Sequence, residues 1–283
     1  MNHQLAKENS LGEVCRFSGL GNEEELKNLL KFHKPFIVKD LAKSWPAFNK
    51  WNLDYLLTKE KNSKVWVRDG MSNKQTIEPI PFTDFIQNLK ENLANNFSKK
   101  NLYLVLSRIM SHSNARSVQL PNLLQDIVLP SFIPIERLWE INLWIGAGGN
   151  RSSLHFDPEE NLLFPIKGEK KIILISRSDT KNIYQRLDGQ NILESKLDIF
   201  NIDRKNFPRI DNVKYYQTVV YPGEAIYIPS GWWHAVESTV DTNISVNIWW
   251  LPNFTFLFKF PTCRRLWQKK EKWWSVLFPF SQL

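Results

Sequence analysis

Two histidines and one aspartate in the second half of the chain have the types and spacing of a metal-ligand set. His155 and Asp157 are separated by one residue, so in a β-strand their side chains would project from the same face. His234 would complete three ligands if its strand ran antiparallel to the one that carries His155. Two imidazoles and one carboxylate with open coordination positions are typical of non-haem Fe(II) oxygenases, although zinc and manganese accept the same donor atoms.

The His-x-Asp pattern alone is weak evidence for a metal, because a strand histidine beside an aspartate is usually a hydrogen-bonded structural pair. The two cysteines, Cys15 and Cys263, are too few and too far apart for a zinc-thiolate site or a disulfide framework. Any metal must therefore be bound by nitrogen and oxygen atoms. Whether the three residues meet depends on the elements that carry them.

Those elements are short strands. From residue 137 to residue 250 the sequence consists almost wholly of eight β-like runs, separated by turn residues and one long insert. Many short strands hide their edges when sheets close or stack, so this order predicts a small double-sheet barrel, a jelly roll. The predicted fold class is mainly β with flanking helices.

The first half of the chain mixes helical and strand patterns. Strands are predicted at residues 35–39, 65–69 and 102–106, and helices at 21–33 and 81–93. A further helix that ends near Leu57 is predicted to follow a turn marked by Trp45, Pro46 and Trp51. The proline-marked stretch 107–132 is a long connection that could serve as a lid.

Three parts are expected along the chain. Residues 1–136 would pack on the barrel, residues 137–252 would form the catalytic core, and residues 253–283 would form an aromatic and basic tail that is partly helical. The tail favours a homodimer contact, with an interfacial membrane segment and a nucleic-acid surface as alternatives.

Composition restricts the class of protein. With 283 residues, 42% of them hydrophobic and 23% charged, the chain is not predominantly disordered. It shows neither a transmembrane-length apolar run nor the apolar core of a signal peptide, so we expect a soluble cytoplasmic protein. The formal net charge of +8 would suit an acidic partner such as nucleic acid, but dispersed lysines reach that total without forming a patch.

Three longer segments strengthen the interpretation as a metal centre. They are SSLHFDPEENLLFPIKGEKKIILI at 152–175, YPGEAIYIPSGWWHAVES at 221–238 and NISVNIWW at 243–250. With these segments the chain resembles the JmjC and cupin-like hydroxylases, a family of 2-oxoglutarate-dependent oxygenases with a double-stranded β-helix core. Residues 34–56 are also similar to the start of this region in such proteins, so the resemblance covers about residues 34–250.

The resemblance assigns roles to individual residues. His155, Asp157 and His234 would ligate Fe(II), and Lys170 would bind the distal carboxylate of 2-oxoglutarate, although a lysine in such a lysine-rich segment is by itself more often a solvated surface residue. The resemblance also implies that five further residues contact the cosubstrate, although residues of these types by themselves more often lie in turns or in the core. They are Ser152, Tyr103, Asn161, Asn247 and Trp249.

The resemblance implies an Fe(II)- and 2-oxoglutarate-dependent dioxygenase that uses O2 to hydroxylate a C–H bond. A protein or peptide side chain is the expected substrate. An RNA substrate such as a tRNA nucleobase, a small molecule, and demethylation of a histone are open alternatives. A catalytically silent cupin-like binding module is the alternative from a different functional class.

Overall fold

The structure, a computed structural model, describes residues 4–18, 23–69, 77–94, 101–112, 117–187, 193–239 and 242–253. The described helices are α1 (Glu23–Lys31), α2 (Pro46–Lys50), α3 (Leu53–Glu60) and α4 (Phe82–Ala94). The first five strands are β1 (Arg16–Ser18), β2 (Phe36–Lys39), β3 (Lys64–Asp69), β4 (Glu78–Pro81) and β5 (Leu102–Ser111). The later strands are β6 (Leu138–Gly146), β7 (Arg151–His155), β8 (Glu160–Lys167), β9 (Lys170–Ile175), β10 (Tyr215–Val220), β11 (Ala225–Ile228), β12 (Trp233–Ser238) and β13 (Asn243–Trp250).

The strands from β6 to β13 form the two facing sheets of a jelly roll. The smaller sheet has the order β10-β9-β12-β7, and the larger sheet contains β11-β8-β13-β6 as neighbours. All pairings among these strands are antiparallel. Each of the predicted β-like runs forms one of these strands, so the predicted fold class is confirmed.

Strands from the first half of the chain extend the larger sheet at both edges. β2 pairs with β11 and β1 with β2, while β5 pairs with β6, followed by β3 and β4. The N-terminal region therefore shares backbone hydrogen bonds with the barrel. The division into residues 1–136, 137–252 and 253–283 stays a prediction, and all of the tail after residue 253 lies outside the described residues.

Strand periodicity decides which side chains face the barrel interior. In β8, Leu162 and Phe164 pack with the helices in the largest hydrophobic cluster, whereas Leu163 packs with residues of β9 between the sheets. In β9, Ile173 and Ile175 pack under the insert that follows this strand, whereas Ile172 faces inward. Helices thus cover one outer face of the barrel, the insert covers the other, and alternate residues line the interior.

Two details differ from the sequence predictions. The helix predicted to end near Leu57 is present as α3, but the residues expected to form the turn before it include a further short helix, α2. Strand β5 continues to Ser111, beyond the end of the predicted strand. The lid hypothesis for residues 107–132 is not supported, because Leu120 and Leu123 are buried in the largest core cluster. None of the described residues of this stretch lines the cavity at the predicted site. Within the described residues, no helix is both long and apolar enough to span a membrane.

Candidate metal centre

The three predicted ligands converge at one place in the barrel. β7 and β12 are antiparallel neighbours with His155 opposite His234, and the two imidazole centroids lie 4.2 Å apart. Asp157 follows β7 and lies between them, with Oδ1 3.8 Å from His155 Nε2 and Oδ2 3.6 Å from His234 Nε2. One donor atom from each residue lies within 4.8 Å of the others, which is close enough for a shared metal ion.

Both imidazoles are held by the backbone through the ring nitrogen that points away from the cluster. His155 Nδ1 lies 2.7 Å from the carbonyl oxygen of Ser153, and His234 Nδ1 lies 3.0 Å from that of Trp232. A donated Nδ1–H leaves the lone pair on Nε2, the atom that faces Asp157. Burial, reinforced by His155, lowers the pKa of His234 to about 4, so this ring is neutral and able to ligate near pH 7.

A chain of two asparagines orients the carboxylate. Asn161 Nδ2 donates to Asp157 Oδ2 at 3.3 Å, and Asn247 Nδ2 donates to Asn161 Oδ1 at 2.6 Å. Asn161 and Asn247 are 2% and 5% exposed, and both line the cavity. The sequence analysis placed these residues near the cosubstrate, and the structure shows in addition that they connect β8 and β13 to the carboxylate.

Lys170 lies inside the barrel and not on the surface. It has the same strand phase as inward-facing Ile172, is 1% exposed, and donates from Nζ to Ser238 Oγ at 2.7 Å. Its Nζ also lies 5.5 Å from the centre of the Tyr103 ring. Burial lowers the pKa of Lys170 to about 7, because an ammonium is costly to desolvate without an anion.

A cavity of about 360 Å³ is lined by the three candidate ligands, the two asparagines and Lys170. Tyr103, Ser152 and Trp249, the remaining residues implied by the resemblance, also line it. The strand alternation that places Asn247 inward does the same for Trp249 and for Ser245. Every candidate site residue from the sequence analysis is thus brought to this one cavity.

Four buried polar atoms of cavity-lining residues have no hydrogen-bond partner among the described residues: Arg68 Nε, Trp144 Nε1, Ser245 Oγ and Trp249 Nε1. Unsatisfied buried polar atoms are rare, because each costs about 1–3 kcal/mol. All four can donate a hydrogen bond, so the cavity suits a ligand rich in acceptor oxygens.

Sequence reasoning missed three polar residues that line the cavity or contact a residue that lines it. Arg68 reaches the cavity from β3, Glu194 comes from the insert through a bridge to His155, and Ser238 is paired with Lys170 across β9 and β12. The position of Arg68 depends on strand register, and that of Glu194 depends on the path of a long insert. Ser238 is the last residue of the segment 221–238, and the pairing of β9 with β12 would have been the signal for it.

Comparison with known proteins agrees with the geometry. A family model described as a cupin-like domain matches residues 22–256. The chain belongs to the cupin-like JmjC family. It is 29% identical over 226 residues to the JmjC domain-containing protein 5 of Drosophila melanogaster, a match that covers 77% of this chain and 54% of that protein.

Two further relatives are named for different activities. Lysine-specific demethylase 8 of Danio rerio is 30% identical over 253 residues, covering 86% of this chain and 59% of the relative. Human tRNA wybutosine-synthesizing protein 5 is 25% identical over 249 residues, covering 84% of this chain and 77% of the relative. This family member therefore spans a little over half the length of its fruit-fly and zebrafish relatives.

Proposed function

We propose that this JmjC protein is an Fe(II)- and 2-oxoglutarate-dependent oxygenase that hydroxylates a C–H bond of a protein or peptide side chain. The observation that carries the proposal is the presence, in one cavity, of a His-Asp-His donor set and a buried lysine. Among the described residues, no carboxylate lies within ion-pair distance of Lys170. A ligand that offers a carboxylate to the lysine and oxygen atoms to a metal satisfies both groups.

The donor set fits ferrous iron. Two neutral imidazoles and one carboxylate are the ligands that such iron takes when some coordination positions must stay open. Both Nε2 atoms face Asp157, and their other ring nitrogens are engaged by backbone carbonyls. No cysteine lines the cavity among the described residues, so the site does not present the thiolates that many structural zinc sites use.

The cavity also fits 2-oxoglutarate. This molecule has a carboxylate beside a keto group, which suits a metal, and a distal carboxylate, which suits Lys170. Ser245 and Trp249, which lie on either side of Asn247 on the inward face of β13, bring polar atoms without a described partner to the same cavity. We infer that Tyr103 and Ser152, which line the cavity, contribute hydroxyl groups to this ligand.

Bound iron would supply the redox chemistry that couples O2 and decarboxylation of 2-oxoglutarate to insertion of oxygen into a C–H bond. The overall reaction converts substrate, 2-oxoglutarate and O2 into hydroxylated substrate, succinate and CO2. The chain contributes positioning: Asn161 and Asn247 fix the Asp157 carboxylate, and Lys170 fixes the cosubstrate. Apolar side chains, Leu163 and Ile228 among them, limit water in the cavity.

Hydroxylation of RNA is the second candidate function. It is favoured by the match to the tRNA wybutosine-synthesizing relative, which extends over 77% of that protein, and by the formal net charge of +8. Steep weakening of RNA binding with added salt would distinguish this function from peptide hydroxylation.

The proposal is tested by succinate formation from 2-oxoglutarate after anaerobic reconstitution with Fe(II). The wild type should form succinate only when iron, O2 and 2-oxoglutarate are all present, and H155A and D157A should lose nearly all of this activity. His112, an exposed histidine outside the cavity, provides the control H112A, which should retain wild-type turnover. Iron-dependent turnover that persists in D157A would refute the ligand assignment, and a wild type without turnover would favour a silent binding module. Mass spectrometry of proteins incubated with the enzyme would then reveal a substrate by the gain of one oxygen atom.

A further inference from the structure

Arg68 is a buried cation in the cavity that the proposed oxygenase reaction does not use. It lies on β3, outside the eight strands of the jelly roll, and its side chain is directed toward β5 and β7. The residue is 9% exposed and lines the same cavity as His155, Asp157 and Lys170. An arginine in this position brings a permanent positive charge to the cavity that the ligand set lines.

Existing contacts hold the Arg68 guanidinium in place but leave its hydrogen-bonding capacity incomplete. Its Nη2 donates to the carbonyl oxygen of Arg151 and, at 3.4 Å, to Ser152 Oγ, and its Cζ lies 5.4 Å from the centre of the Tyr103 ring. Its Nε is buried and has no partner among the described residues. The side chain is therefore positioned by neutral groups, with a donor still available for a ligand.

The charge of Arg68 is also not balanced by a close carboxylate. Glu194 acts on Arg68 electrostatically, but among the described residues no carboxylate reaches ion-pair distance of the guanidinium. Glu194 Oε2 instead lies 3.8 Å from Arg186 Nε. Because a buried charge without a counter-ion is costly, an anion bound beside Arg68 would be stabilised.

In the proposed complex both carboxylates of 2-oxoglutarate already have partners, namely the metal ion and Lys170. Glu159 and Glu194 also line the cavity, but neither lies within ion-pair distance of the Arg68 guanidinium. Arg68 therefore keeps an unfilled donor and has no close counter-ion among the described residues, which points to a further negative group that enters with the substrate.

We propose that Arg68 binds the carboxylate of an acidic side chain, aspartate or glutamate, in a peptide substrate. This inference rests on the proposed oxygenase function and names the substrate class of the same site. An aspartate or glutamate side chain ends in a planar carboxylate, which matches the fork of donors on a guanidinium, and its aliphatic part suits a cavity that is also lined by apolar residues such as Leu106 and Leu193. A phosphodiester of RNA lies between two riboses, which would have to enter with it, so the buried position of Arg68 favours the peptide.

The test uses three pools of random peptides that differ at one fixed central position, which is acidic, basic, or an uncharged amide. Affinity selection of the pools on immobilised full-length protein loaded with Mn(II) and 2-oxoglutarate measures binding without turnover. With Fe(II) and O2, stimulated succinate release and the gain of one oxygen atom measure reaction. The wild type should enrich and oxidise the acidic pool about ten-fold or more over the basic pool.

Charge reversal at Arg68 should reverse this preference. R68E should favour the basic pool, R68K should keep the acidic preference, and circular dichroism should show that both variants fold. The matched control is R209E, which reverses the charge of an exposed arginine outside the cavity and should behave as the wild type. If Arg68 served only the cosubstrate, R68E would lower turnover equally with all three pools, and that result would overturn the proposal.

Two other outcomes would also overturn it: a wild type that shows no acidic preference, and a wild type that is stimulated by total tRNA but not by acidic peptides. Failure of the proposed oxygenase function gives a different result, because the wild type would then form no succinate with any pool. The affinity selection would still report whether acidic peptides bind and whether R68E reverses that binding.

Discussion

Lys170 and Ser238 lie opposite each other on the paired strands β9 and β12, and Lys170 Nζ donates a hydrogen bond of 2.7 Å to Ser238 Oγ. A neutral hydroxyl is a weak partner for an ammonium that is only 1% exposed. Burial therefore lowers the pKa of Lys170 to about 7 in the protein without ligand. A bound carboxylate would restore the charged form, which links the protonation of this lysine to cosubstrate binding.

Replacing Lys170 should weaken 2-oxoglutarate binding more than it lowers kcat. Loss of a charge-assisted hydrogen bond predicts a KM for 2-oxoglutarate that is about 10- to 100-fold higher in K170M. The control K171M changes the next residue, a half-buried lysine that does not line the cavity, and should leave this KM unchanged. Equal KM values for the two variants would exclude Lys170 from the cosubstrate site.

Cosubstrate affinity should depend on pH. Below its pKa of about 7, Lys170 is already charged in the free protein, whereas above it a proton must be taken up to bind a dianion. The KM for 2-oxoglutarate should therefore rise about ten-fold from pH 6 to pH 8 in the wild type. Steady-state kinetics should show the same rise of this KM with pH in K171M and a smaller rise in K170M. A rise in K170M equal to that of the wild type would assign the titration to another group.

The asparagine chain predicts an effect on metal affinity. N247A removes the donor to Asn161, which itself donates to the Asp157 carboxylate, so the carboxylate should be less well oriented. We expect divalent-metal binding to weaken about 10- to 100-fold. N182A is the matched control, because Asn182 is buried outside the cavity and donates to Asp179. Metal titrations that give the same Kd for both variants would show that the chain has no such role.

Replacing Gly168, in the turn that leads to Lys170, should lower the stability of the fold. It has a φ of +67°, and an added Cβ would lie 2.4 Å from the carbonyl oxygen of Thr242. Gly12 has a similar φ of +85° but no atom within 4 Å of the added Cβ. The loss of stability in G12A should therefore come only from placing an L-residue at a positive φ, which costs about 1–2 kcal/mol. Urea unfolding should show that G168A loses about 1–3 kcal/mol more than G12A. Equal losses would mean that the turn relaxes.

The ligand set and the jelly roll could be predicted because both depend on local patterns. Alternation predicted that His155 and Asp157 share one side, and they do meet, although β7 ends at His155 and Asp157 follows it. Turn residues separate the runs that form β6 to β13. The pairing of His155 with His234 followed once the strands were taken as antiparallel neighbours. Residues carried by the family resemblance, Lys170 among them, also reach the cavity.

Long-range register could not be predicted in the same way. Arg68 lies opposite Tyr103 because β3 pairs with β5 in one register, and a shift of one residue would turn its side chain to the other face. Glu194 reaches His155 through an isolated bridge formed by the insert, which has no periodic pattern to mark it. Both residues follow from the tertiary path of the chain and not from a motif.

The central claim is that His155, Asp157 and His234 bind one divalent ion, and anaerobic equilibrium dialysis with Fe(II) tests it most directly. The wild type and H112A should each bind one ion per chain, while D157A and H234A should lose this binding at the same free-metal concentration. Wild-type affinity in D157A or H234A would contradict the account.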